Sequence, residues 1–144
     1  MKKIIITLAI AISSFSAFAT EPVSPIVLNS FNKEFTGVQN VEWTSTDSYV
    51  KATFVYNGQN VAAFYHPNGE IIAVTRNITS LQLPISLQTN LKDQYEGYWI
   101  TDLFELSNND GTSYYITLEN ADSKLVLKSG DNTQWVSFKK TTKI

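Results

Sequence analysis

A chain of 144 residues, 43% of them hydrophobic, is long enough for one compact domain, which at this size buries roughly two-thirds of the surface that its unfolded form exposes. It contains no cysteine, which excludes a disulfide scaffold, thiol redox chemistry and thiolate metal sites, so the core must hold unaided. Thirteen acidic against eleven basic side chains give a formal net charge of −2 without a basic stripe, which argues against nucleic acid as a partner.

Residues 1–19 read as a secretory signal peptide. Lys2 and Lys3 supply the basic start, "IIITLAIAI" is an apolar run too short to span a bilayer, and "AFA" at 17–19 has the small-x-small pattern of a cleavage site. Cleavage near Ala19 leaves a single domain over 20–144 and, with no cysteine to take a lipid, no membrane anchor is expected. The expected address is periplasmic or secreted.

After the extended leader "TEPVSP", Val27, Phe31 and Phe35 recur every four residues with Leu28 beside them, which predicts an amphipathic helix ending at Gly37. The strands that follow are "VEW", "SYVKATFVY", "QNVAAFYH" and "EIIAVTR", separated by the hairpin signal Asn57-Gly58 and the turn Pro67-Asn68-Gly69. Sixty residues beyond the first helix, Leu87, Leu91, Tyr95 and Gly97 repeat its pattern, with Pro84 near the start. Four more strands follow: "YWITDLFEL", "TSYYITLE", "KLVLK" and "QWVSFKK", divided by "NNDG", "NADS" and "SGDNT". The expected fold is α+β: two tandem repeats, about 24–78 and 80–140, each one helix followed by an antiparallel four-stranded meander, with the helices on one face of the sheet.

With "FNKEFTGVQNVEW", "VYNG", "FYHPNGE" and a second helix opened by "LP" and closed by "YEGY", the chain resembles the β-lactamase-inhibitor-like, PepSY-like proteins of the bacterial envelope. The resemblance spans nearly all of residues 20–144 and rests on helix ends, hairpin turns and core aromatics. It implies a helix-plus-sheet repeat whose sheet face is open to partners, since the inhibitors that give the family its name bind an enzyme across such a sheet. The family motif carries no catalytic residue.

The residues themselves agree in nominating no catalytic, cofactor-binding or metal site. His66 is the single histidine and begins the "HPNG" turn, with carboxylates such as Glu70 as its only companions. Asp102 and Glu105, the best carboxylate pair, have an odd spacing that sends them to opposite faces of a strand. Asp110 and Asp131 sit in turns whose spacing does not match a calcium loop.

Aromatic residues, 12% of the chain, carry the functional reading. Ala52, Phe54, Tyr56, Tyr114, Ile116 and Leu118 share the helix-covered side. Thr53, Val55, Tyr115 and Thr117 face the other way, with Val126 and Trp135 extending that surface. The expectation is a non-enzymatic module that recognises or inhibits another envelope or extracellular protein through this face and the adjoining turn tips, with Trp99 and His66 included. The alternative is a glycan or small-ligand carrier using Trp43, Trp99 or Trp135 as stacking platforms.

Overall fold

The computed structural model describes residues 22–144, so the expected signal peptide and its cleavage site lie outside the described residues. Helix α1 (Pro25–Glu34) opens with proline where no N–H is needed, and the Ser24 hydroxyl accepts from the Val27 amide at 3.4 Å. Val27 and Phe31 are the residues it buries. Gly37, at φ +78°, then turns the chain away from the helix.

Four strands follow: β1 (Glu42–Ser45), β2 (Val50–Tyr56), β3 (Gln59–Tyr65) and β4 (Ile71–Asn77). Asn57 and Gly58 adopt φ +50° and +77°, the left-handed pair whose twist matches that of the hairpin strands. Between β3 and β4 the Gly69 amide donates to the His66 carbonyl at 2.9 Å. A 3-10 turn (Ser80–Gln82) leads into α2 (Ile85–Gln94), after which β5 (Trp99–Asn108), β6 (Gly111–Glu119), β7 (Ser123–Ser129) and β8 (Val136–Thr142) complete the chain.

Two tandem repeats, each with its own meander, are not what these elements build. All eight strands of the described residues form one continuous antiparallel sheet in the order β1 to β8, because β4 pairs with β5 over Val74↔Ser107, Thr75↔Leu106, Arg76↔Glu105 and Asn77↔Phe104. Separate four-stranded units would leave β4 and β5 as bare edges, and pairing them satisfies both rows of backbone groups. Arg76 strengthens the junction by donating to both Glu105 oxygens, at 3.0 and 3.1 Å, and to the Gln59 side chain at 3.2 Å. The two stretches also differ in plan, since β1 has 4 residues and β5 has 10. The class remains α+β, with two short helices against one large sheet.

Both helices lie over the same face, each above its own apolar cluster. Under α1, Phe31 meets Trp43 and Phe54 edge-on at ring separations of 5.1 Å each, above Ala52, Val61 and Ala63. Under α2, Leu87 packs with Leu103, Ile116, Leu118, Leu127 and Trp135. Arg76 and Glu105 stand between the two clusters on this face, opposite Val61 and Tyr114 in the strand register.

Tyr65 is fully buried, and its hydroxyl has no hydrogen-bond partner among the described residues. Burial, with a smaller effect from the charge of Glu34, pushes its pKa up to about 12. Tyr65→Phe removes a desolvated group that makes no bond, so it is expected to leave stability unchanged or raise it by about 1 kcal/mol in urea unfolding. A loss of stability of that size would show that the hydroxyl is bonded.

Candidate functional site: the uncovered sheet face

Alternation along the strands assigns each residue to a face. Ala52 and Phe54 point to α1, so Lys51, Thr53 and Val55 point away from it, and the cross-strand register carries this face to Ala62 and Phe64 and on to Ala73 and Thr75. Beyond the β4–β5 junction the face continues through Asp102, Phe104 and Leu106, then Tyr115 and Thr117, then Val126 and Lys128. No helix covers it.

Two aromatic groups mark this surface. Phe64 meets Tyr49 edge-on at 5.5 Å, and the Lys51 ammonium lies 5.8 Å from the Phe64 ring centre. Phe104 stacks on Tyr115 at 5.2 Å with only 10° between the ring planes, Phe138 meets the same tyrosine edge-on at 5.6 Å, and Lys128 rides over it at 5.4 Å. A third cation sits on a ring at the far end, where Lys143 lies 5.3 Å from Trp99 and 3.1 Å from Glu119.

These neighbours change the standing of several residues expected at a partner contact. Tyr115, Thr117 and Val126 are on the uncovered face but only 6%, 8% and 9% exposed. The protein's own side chains roof this part of the sheet; for Tyr115 they are Phe104, Phe138 and Lys128. Thr53 is half-buried, Val55 is 61% exposed, and Trp99 is 52% exposed with Lys143 against its ring. His66 is half-buried at the base of the β3–β4 turn, with Gly69 buried against α1.

Trp135 requires a correction, because it does not extend the uncovered face. It precedes β8, points to the opposite side and is buried beneath α2, where its indole N–H donates to the Leu87 carbonyl at 3.1 Å. Strand β8 starts one residue later, at Val136, so the alternation along it does not extend to Trp135. The residues missed by sequence reading are Lys51, Phe64, Phe104, Lys128 and Phe138. Even spacing from Asp102 could have found Phe104. Phe138 gave no such signal, because the β7–β8 register shifts there by one residue.

The carboxylates stand apart. Asp102 accepts from the Asn77 side chain at 3.1 Å on the uncovered face, whereas Glu105 binds Arg76 on the helix side. The Asn108 side chain holds the Asp110 amide at 2.9 Å, as tight turns require. Asp131 accepts from the Thr133 and Gln134 amides at 2.9 and 3.1 Å and from the Ser129 hydroxyl at 3.3 Å. Those amides, the Thr133 one foremost, lower its pKa from 3.8 to about 2.

Because the folded value of Asp131 lies below the unfolded one, the stability it contributes is complete above about pH 4 and is lost as pH falls towards 2. Asp131→Ala is expected to lower the melting temperature at neutral pH and to flatten its decline between pH 4 and 2. An unchanged acid slope would refute this role for the β7–β8 loop.

No family model and no curated protein matches the chain. Solved structures do. A BLIP-like protein from Bacteroides fragilis is 16% identical, with a TM-score of 0.72 over 86% of this chain and 89% of that one. A provisionally periplasmic protein from Bacteroides eggerthii is 12% identical, with a TM-score of 0.76 over 85% and 90%. A DUF2874 family protein from Bacteroides uniformis is 13% identical, with a TM-score of 0.74 over 83% and 88%. The family resemblance read from the sequence therefore holds at the level of architecture: this chain has the fold of BLIP-like and DUF2874 family proteins.

Proposed function

We propose that the protein is an exported, non-enzymatic binding module that recognises another envelope protein across the uncovered face of its sheet. The observation that carries this reading is the face itself: both helices among the described residues lie on the other side, Val55 and Phe138 remain 61% and 45% exposed, and the same face carries Lys51 and Lys128 held over aromatic rings. The BLIP-like name of one structural neighbour supports inhibition by binding as the form of the activity, and the periplasmic description of another supports export. The contact surface is centred on Val55, Thr53, Lys51 and Phe64 rather than on the roofed Tyr115. Trp43 and Trp135 belong to the two core clusters and Trp99 stands elsewhere on the sheet, so the three indoles do not combine into one stacking platform.

The test is affinity capture from an envelope extract with the chain starting at Thr20, compared with a Thr53→Asp, Val55→Asp variant. A Leu81→Asp variant serves as control, because Leu81 is 82% exposed on the 3-10 turn, away from the face. A protein retained by the wild type and the control but lost by the face variant is expected. Identical captures by all three would reject the face as the contact.

A further inference from the structure

Among the described residues the sheet ends at β8, and the outer row of backbone N–H and C=O groups there has no strand beside it. All seven residues of β8 are exposed, including Val136 at 65% and Phe138 at 45%. The opposite edge strand, β1, has only four residues. The long free edge is also charged in one sense. Lys139 and Lys140 lie on β8, Lys124 and Lys128 lie behind them on β7, and neither strand carries a carboxylate, although acidic residues outnumber basic ones in the whole chain by 13 to 11. Among the described residues none of these four lysines is in an ion pair.

We infer that this edge receives an acidic extended segment of a partner protein, which adds to the sheet as a ninth strand. Lysines and a bulge are what sheets use to keep edges from pairing with copies of themselves. In this edge both devices also select. Two β8 strands brought together would set Lys139 and Lys140 against like charge, whereas an incoming strand with adjacent carboxylates places an anion opposite each. Lys139 stands across from Val126 on the uncovered face and Lys140 across from Leu125 on the helix side, so the matching pair is two consecutive acidic residues. Phe138, at the bulge and edge-on to Tyr115, and Val136 supply the apolar positions that follow. The added ladder provides affinity, and the lysines provide the choice of partner. This surface is the edge of the sheet rather than its face, and its variants leave Thr53 and Val55 untouched.

The test titrates the isotope-labelled chain, followed by amide resonances, with a blocked ten-residue peptide that alternates valine and threonine around a central Glu-Asp pair. Two controls are a peptide with Lys-Lys at the centre and an acidic peptide of equal charge with proline at alternate positions, which cannot form a ladder. The expected result is shifts and slowed exchange confined to Val136–Thr142, binding at least tenfold weaker for each control peptide, and a similar tenfold loss in a Lys139→Glu, Lys140→Glu variant. Equal binding of the proline peptide would reduce the effect to charge and overturn the inference. So would shifts centred on Val55, no binding at millimolar peptide, or concentration-dependent β8 shifts without peptide, which would make a second copy the occupant.

Discussion

Gly69→Ala is expected to destabilise the protein by about 2–4 kcal/mol, whereas Gly58→Ala at the other hairpin turn is expected to cause a loss of about 1 kcal/mol. Both glycines have positive φ, +90° and +77°, so both alanines carry torsional strain of similar size. Their surroundings separate them. A Cβ on Gly58 meets nothing within 4 Å, but one on Gly69 lies 2.6 Å from Ile26 Cγ2, 3.0 Å from the Ser30 hydroxyl and 3.2 Å from the Ile26 carbonyl oxygen. The β3–β4 turn is thus the surface on which the start of α1 rests, and an added methyl group pushes the helix off the sheet. Ile26, 58% exposed, can swing aside, while its carbonyl oxygen is fixed by the helix. Ile26→Ala in the Gly69→Ala background is therefore expected to recover only part of the loss. Thermal unfolding reads the difference as roughly 10 °C for Gly69→Ala. Equal effects of the two glycine variants would mean that α1 does not sit on this turn.

The relation between sequence and structure can be traced at these same positions. Local chemistry was legible: Asn57-Gly58 specifies a left-handed pair of residues, Gly37 and Gly97 stop helices, and alternation on β2 and β6 sorts Phe54 and Ile116 from Thr53 and Thr117. The β4–β5 pairing was not legible. Asn77 and Trp99 are joined through a 3-10 turn and a helix instead of a hairpin, so no turn residue announces that Asn77 will lie beside Phe104. A repeated local pattern therefore suggested two units where long-range pairing makes one sheet. The roof over Tyr115 was hidden for a related reason, because Phe104 comes from one neighbouring strand and Phe138 from a bulge two strands away. The choice of face was readable along β2 and β6 but not at Trp135, which precedes β8, or at Phe138 in the bulge, and coverage of that face depended on strands that sequence alone does not bring together.

Trp135→Ala is expected to destabilise the protein by about 3–5 kcal/mol and to free α2 before the rest of the sheet. Helix α2 has 10 residues, too few to persist without tertiary support, and Leu87 is the one residue that it buries. Pro84 at its N-cap provides no side-chain hydrogen bond. Two bonds from the opposite side compensate: the Trp135 indole N–H to the Leu87 carbonyl at 3.1 Å, and the Asn90 side chain to the Thr133 carbonyl at 3.0 Å. Trp135 is 8% exposed and packs in the same cluster as Leu103, Ile116 and Leu127, so alanine there opens a cavity as well as breaking a bond. Trp135→Phe keeps most of the ring volume and is expected to lose only about 1–2 kcal/mol, chiefly the hydrogen bond. Hydrogen exchange separates local from global loss, with the amides of Leu87–Gln94 accelerated far more than those of α1 in the alanine variant. If the melting temperature falls by less than about 3 °C, or if α1 and α2 exchange equally fast, Trp135 is not the clamp that holds α2 to the sheet.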